Sequence, residues 1–313
     1  MAESQLQLLI AKHIPVEPSQ LRFERIPTGK FNTSYFVEGA GRPLVLRIAP
    51  PDDAGFVFYE RGMMAQEPEI HRIIREQTSA PVAEILAYDN SRELIDRDFL
   101  IMEKLPGRPM SDLGGLSRDA SDRVLYQVGR ALHEIHSITA TSYGYIGAHR
   151  PMEPQPGWNS AFIFMWNAMI DDIAATGCYD QADCSHMRGL LDRHVNHFSR
   201  NTPSMLLHMD IWEQNILMDD EGNLTGLIDF DRAVWGDPEI EFAVLDYCSI
   251  SKPAFWEGYG EERDNSPSAR IRTLFYLLYE IQKYIVIRYH RYQDIPAAMR
   301  YKAQVMRLAE GLT

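Results

Sequence analysis

The sequence predicts an α+β chain in two lobes: an antiparallel sheet with one helix over residues 1–105 and a mainly helical half over 106–313. Three observations carry that expectation. Short apolar or alternating runs bounded by Gly and Pro crowd into the first third and read as strands. From Ser117 onward, apolar residues recur at helical spacing. One polar loop between short apolar runs, residues 206–231, interrupts the helical half and gathers Asp and Asn side chains.

Residues 3–13 form a short amphipathic pattern with Leu6, Leu9 and Ile10 on one side, ended by Pro15 and Pro18. Strands follow at Leu21–Ile26, Tyr35–Val37 and Leu44–Ile48, the last two joined by the turn Glu38-Gly39-Ala40-Gly41. A helix is expected from about Glu67 to Gln77, with Ile70, Ile73 and Ile74 on one face. Pro81–Leu86 and Phe99–Gly107 read as two more strands, the second running into the linker Met102-Glu103-Lys104-Leu105.

Ser117 and Ser121 are candidate N-caps for a helix reaching His136. His133 and His136 stand one turn apart without a third ligand of matching character nearby, so packing or surface roles are expected rather than a metal. Residues 141–160 are a Gly- and Pro-rich connection. Helices are then expected at 160–175 and 186–199, from Pro238, over Arg270–Arg291 and over Pro296–Leu312. Aromatics at the density of Trp158, Phe162, Phe164 and Trp166 usually fill a core, and some could wall a pocket.

The interrupting loop reads Leu206-Leu207-His208-Met209-Asp210, then Asn215-Ile216-Leu217, an Asp220/Gly222 turn, and Leu227-Ile228-Asp229-Phe230-Asp231. Two antiparallel strands here would bring Asn215 near Asp229, with Asp210 in the same loop. Phosphoryl transfer uses such a set: one carboxylate orients the acceptor hydroxyl and takes its proton, while an Asn oxygen and a second carboxylate hold magnesium on nucleotide phosphates. The spacing fits the kinase catalytic-loop pattern H-x-D-x-x-x-x-N with a downstream metal Asp. Met209 stands where protein kinases carry Arg, and Ile228-Asp229-Phe230-Asp231 replaces Asp-Phe-Gly, so a protein kinase is disfavoured. With Trp235-Gly236-Asp237-Pro238 following, the ordered set resembles the aminoglycoside phosphotransferase and choline kinase family of small-molecule kinases.

That resemblance implies a kinase-like two-lobed fold with a nucleotide-binding first lobe. It implies Mg2+ on Asn215 and Asp229, ATP or GTP as donor, and Asp210 as the catalytic carboxylate. It also places a basic residue, Arg47, on the nucleotide phosphates. Arg47 sits on an otherwise apolar strand and needs a partner there, either Glu67 or Glu69. Residues 28–34 (Thr28, Gly29, Lys30, Phe31, Asn32, Thr33, Ser34) are either an ordinary hairpin turn or a cover over the phosphates. The linker around Glu103 and Leu105 would turn backbone groups to the nucleobase. His208 and Asp237 would support the site, Asp237 by bonding amides of the catalytic segment. Asp231 is either an auxiliary contact or a turn residue.

A net charge of −13 makes a nucleic-acid partner unlikely to form on electrostatic grounds, and no run is apolar for long enough to span a bilayer. Cys178, Cys184 and Cys248 suggest neither a disulfide framework nor a zinc site, so a reducing cytoplasm is expected. No signal peptide is evident at the N-terminus. The expected acceptor is a hydroxylated small molecule, with an aminoglycoside-type antibiotic, and hence a resistance role, nearest by resemblance. Acidic residues Glu239, Glu241, Asp246, Glu257, Glu261 and Glu262 could attract such a cation or simply be solvated surface. Choline (with Trp256, Tyr259 and Tyr276 as a cage), homoserine, fructosamines and macrolides remain open. So does a nucleotide-binding pseudoenzyme.

Overall fold

A computed structural model describes residues 1–29, 31–52, 55–114 and 116–312. Helix α1 (Glu3–His13) lays Leu6, Leu9 and Ile10 on a five-stranded sheet. Its strands are β1 (Arg22–Arg25), β2 (Thr33–Glu38) and β3 (Leu44–Ile48), then, after helix α2 (Glu67–Gln77), β4 (Ile85–Asp89) and β5 (Phe99–Glu103). The order is β1-β2-β3-β5-β4, every pair antiparallel. Strand side chains alternate between faces. Leu44, Leu46 and Ile48 therefore join the α1 side, while Val45 packs with Leu100 and Met102 on the other and Arg47 projects from that same second face. Register pairs Arg47 with Ser34 and Leu100, so the sheet fixes its position to a single residue.

The strand expected at 81–86 begins only at Ile85. Residues 81–83 instead tie the two lobes and the helix together: Leu227 N–H donates to Pro81 O at 2.8 Å, and Arg75 donates to Val82 O at 3.0 Å.

The second lobe runs through β6 (Arg108–Pro109), α3 (Arg118–His136), β7 (Thr139–Ala140), α4 (Trp158–Ala175) and α5 (Gln181–His194). It continues with β8 (Ser204–Leu207), β9 (Ile216–Met218), β10 (Leu224–Leu227), β11 (Val234–Gly236), α6 (Glu239–Tyr247), α7 (Pro253–Tyr259), α8 (Pro267–His290) and α9 (Ile295–Ala309). Ser117 caps α3 by accepting from Ala120 N–H. Helix α5 starts five residues before the expected 186 because Asp180 and Asp183 form a reciprocal capping box. Two three-stranded sheets, β10-β9-β6 and β11-β8-β7, lie among these helices.

Two cores fill the lobe. One is aromatic, with Trp158, Phe162, Trp166, Phe198, Phe275 and Tyr276 between α4, α5 and α8; the other lies under α3, α7 and the small strands. Phe164 is the exception to the expected packing, being exposed. The aromatic core also takes in Val57, Tyr59 and Met63 from the connection between β3 and α2, so that stretch reaches across from the first lobe. Among the described residues, no helix is long and apolar enough to cross a membrane.

Candidate active site

The β9–β10 hairpin organises the site. Asp219 accepts from the N–H groups of Glu221 and Asn223 at 3.0 and 2.8 Å, closing a turn in which Gly222 adopts φ +84°. The hairpin therefore returns on itself within a few residues. Asn215 precedes β9, Asp229 follows β10, and Ile228 N–H bonds Asn215 O at 3.1 Å. The two side chains enter one cleft from adjacent rungs.

Asn215 Nδ2 donates to Asp210 O at 2.8 Å and to Asp210 Oδ2 at 2.9 Å. Both donors are engaged, which leaves Oδ1 as the group available to a cation. His208 Nδ1 accepts from Asp210 N–H at 3.2 Å, and its Nε2–H donates to Ile228 O at 3.0 Å. Burial lowers the imidazole pKa despite Glu241 and Asp210 nearby, so this ring is a neutral brace between loop and hairpin. Met209 and Asp229 both sit at positive φ, 66° and 72°. Such backbone costs of order 1–3 kcal/mol per residue and persists only when its surroundings fix it.

Glu241 of α6 does much of that fixing. Its carboxylate accepts from His208 N–H at 3.1 Å and Met209 N–H at 2.7 Å, and bonds His136 Nε2 at 2.8 Å. The sequence reading gave the amide-binding role to Asp237. Asp237 is fully buried but accepts from Glu239 N–H at 3.1 Å, with Arg200 3.6 Å away. The substitution is geometric: Asp237 precedes α6, whereas Glu241 lies one turn inside it and faces the loop. Glu241 was legible only as a charge inside the apolar run Ile240 to Leu245.

Across the cleft, Arg47 donates to Glu67 Oε2 at 2.6 Å, Asp229 Oδ1 at 2.6 Å and Asp231 Oδ2 at 3.2 Å. Glu67 is therefore the partner, while Glu69 is exposed on Arg72. Asn32 Nδ2 also donates to Asp231 Oδ2, at 3.2 Å, and Gln66 donates to Asp231 O at 2.6 Å. One guanidinium thus serves three carboxylates. Burial and the neighbouring Asp229 hold Asp231 well above the carboxylate range, and burial raises Glu67 to about 7 despite Arg47. A cluster with more carboxylate than cation, beside the free Asn215 Oδ1, suits a hard divalent cation. Among the described residues no three His, Cys, Asp or Glu side chains converge as a complete ligand set. Magnesium sites of this kind take one or two carboxylates and are completed by substrate phosphates.

The third charged link was missed in the sequence. Arg232 Nη1 donates to Asp210 Oδ1 at 3.1 Å, and Nη2 donates to Glu280 Oε2 at 3.1 Å. Lys283 pairs with the other oxygen of Glu280. Burial alone would raise the Asp210 pKa, but Arg232, Lys283 and His208 bring it below the ordinary value, so Asp210 is an ionised carboxylate. The available signal was a lone Arg between Phe230 and Val234, and Glu280 with Lys283 in the apolar helix α8.

The remaining expectations divide. Gly29 is needed for a tight turn, since a Cβ there would lie 2.8 Å from Asn32 O. Lys30 lies outside the described residues. Phe31 packs on Phe56 at 5.9 Å and under Arg291 at 4.6 Å, which brings it against the second lobe. Thr33 and Ser34 are strand residues of β2, and Thr28 is exposed. At the linker, the N–H groups of Glu103 and Lys104 go to Glu84 O and Pro43 O, at 3.0 and 3.1 Å. Of the linker groups expected to face a nucleobase around Glu103 and Leu105, the Glu103 N–H is thus already engaged within the first lobe. The Glu103 carboxylate binds Arg75, and Leu105 lies against Gly226 of β10. Of the six acidic residues that could attract a cation or be solvated surface, Glu239 binds Arg272, Glu241 binds the loop and Asp246 binds Arg263, while Glu257, Glu261 and Glu262 are exposed. No aromatic cage forms from Trp256, Tyr259 and Tyr276, because the first two pack with Phe242 and the third is buried in the other core.

A family model described as the phosphotransferase enzyme family matches residues 22–271. Among solved structures, aminoglycoside phosphotransferase APH(4)-Ia superposes with a TM-score of 0.67 at 18% identity, covering 98% of this chain and 99% of that one. A candidate fructosamine-3-kinase from Thermobifida fusca superposes at 0.69 and 19% identity, covering 99% and 98%. A thermostable mutant of APH(4)-Ia in ternary complex with AMP-PNP and hygromycin B gives 0.67 at 18% identity, covering 97% and 98%. A protein described as a probable acyl-CoA dehydrogenase of Arabidopsis thaliana is 26% identical over 136 residues, 42% of this chain. The match spans only 16% of that curated relative's length.

Proposed function

The chain belongs to the phosphotransferase enzyme family, and from that premise we propose that it moves the γ-phosphate of ATP or GTP onto a hydroxyl of a small molecule, with magnesium. The observation that supports this most directly is the convergence of Asp210, Asn215 and Asp229 on one hairpin opposite Arg47. Asp210 receives the hydroxyl hydrogen and orients the oxygen; as an ionised group held by Arg232 and Asn215 it is ready to do so at neutral pH. Asn215 Oδ1 and Asp229 would hold magnesium, with Asp231 beside them, and the ion when bound offsets charge on the phosphate oxygens. Arg47 exchanges its carboxylate partners for the nucleotide phosphates while Glu67 keeps the arm in place. His208 and Glu241 hold the loop backbone rigid, so positioning and charge supply most of the rate.

We place the reaction in the cytoplasm, in keeping with three free thiols, Cys178, Cys184 and Cys248. The structural neighbours nominate amino sugars and ketoamines as acceptors. Nucleoside-diphosphate release with ATP and with GTP across those classes tests the reading, with Asp210→Asn as control. That variant should lose about 10²–10⁴-fold in turnover while nucleotide still binds. Near-wild-type turnover would remove Asp210 from the mechanism. Nucleotide binding without turnover on any acceptor would favour the pseudoenzyme.

A further inference from the structure

Beside Asp210, Arg232 from the turn before β11 meets Glu280 and Lys283 of α8, with the half-buried side chains of Tyr247, Cys248 and Tyr284 close by. Their hydrogen-bonding capacity is lopsided. Both oxygens of Asp210 are engaged, by Arg232 and Asn215. Both oxygens of Glu280 are engaged, by Arg232 and Lys283. The cations have donors in reserve. Lys283 carries three N–H groups and uses one on Glu280, resting its ammonium 4.9 Å from the Tyr284 ring centroid. Arg232 gives one N–H of Nη1 to Asp210 and one of Nη2 to Glu280, out of the five N–H groups its guanidinium carries.

A cationic acceptor would find no unengaged carboxylate here and would face Arg232 and Lys283 directly. The tyrosines offer no negative charge, since burial raises the pKa of Tyr247 and Tyr284. We propose that the acceptor bears, besides its reacting hydroxyl, an anionic group, a carboxylate or a phosphate ester, held by Lys283 and Arg232. This rests on the phosphotransfer reading and narrows its substrate class, away from the polycationic amino sugars that the sequence favoured.

The test compares four-carbon alcohols that differ only at the far end: 4-hydroxybutyrate, 4-hydroxybutyl phosphate, butane-1,4-diol and 4-aminobutan-1-ol. ADP release is measured on the full chain, on Lys283→Met and on Lys283→Arg. The expected result is a kcat/KM at least about tenfold higher for an anionic alcohol than for the diol, carried by KM, with the amine lower still. The better of the two anions distinguishes carboxylate from phosphate. Lys283→Met should collapse the anion-to-diol ratio, and Lys283→Arg should retain most of it. Preference for the amine, or an anion-to-diol ratio that Lys283→Met does not move, overturns the inference while phosphotransfer stands. No turnover of these four probes, with an amino sugar or ketoamine still turned over, also overturns the inference while phosphotransfer stands; silence across all of these acceptors, with AMP-PNP still raising the Tm, brings down both.

Discussion

Arg232 sits between two carboxylates of opposite duty. It neutralises Asp210 on the loop and Glu280 on α8, and its guanidinium lies 5.5 Å from the Tyr59 ring centroid. Removing it leaves a buried and a half-buried acid near each other. Arg232→Gln should therefore lower stability by about 3–5 kcal/mol, read by chemical denaturation. The sign with pH follows from Asp210, whose folded pKa lies below 3.8. Its stabilisation is present above 3.8 and lost as pH falls through the lower folded value, so the variant's deficit should narrow toward acid. The same change should move the acid limb of kcat/KM upward. An acid limb that stays in place would show that Arg232 does not set the ionisation of Asp210. Asp210, Asn215 and Asp229 could be read from the chain because five and fourteen residues separate them within one loop and hairpin. Arg232 and Glu241 could not, because Glu280 lies 48 residues from the one and His208 and His136 lie 33 and 105 residues from the other.

Helices α3 and α7 cross with almost no side chain between them. A Cβ on Gly129 would lie 2.1 Å from Phe255 O, and one on Gly258 would lie 1.9 Å from Tyr126 O. Neither obstacle is a flexible side chain, so the helices themselves would have to separate. Gly129→Ala should destabilise the fold by about 1–3 kcal/mol even though Ala favours helix, and an unchanged denaturation midpoint would contradict that close approach. The crossing matters to the site because His136, on α3, bonds both Glu241 and Tyr259 of α7. Periodicity foretold α3 and α8 because each runs for several turns. It passed over α7, seven residues long and without room for a repeat, and it could not foresee that a capping box would start α5 early. The strand alternation that placed Arg47 among apolar neighbours was legible; the three carboxylates converging on it were a product of tertiary packing.

At the scale of the molecule, the covalent linker after β5 is one of several joins between the lobes. Besides the contacts of Pro81 and Arg47, the stretch from residue 57 to 63 crosses over, where Phe58 N–H donates to Asp172 of α4 at 2.6 Å and Tyr59 stacks on Tyr145 at 4.8 Å. Glu60 pairs with Arg291 at the end of α8. Burial pushes Asp172 up to about 6, against the pull of the Phe58 amide. A raised acid stabilises the folded state below 3.8, and that contribution fades as pH climbs toward 6. Asp172→Asn removes the titration, so the Tm of the variant minus that of the wild type should rise across this window. A difference that stays flat from 3.8 to 6 would show that Asp172 does not ionise in this way.

The arm that bridges the lobes at the cleft has a further consequence. Arg47 lies on Asp229 and Asp231, so a cation taken by these acids would meet a positive charge the protein already carries. For the proposed reaction, a nucleotide bound with its ion would give that arm other anions to lie on, whereas a bare ion would leave it only Glu67. The cleft would then act as a coincidence detector, more responsive to the loaded nucleotide than to free magnesium.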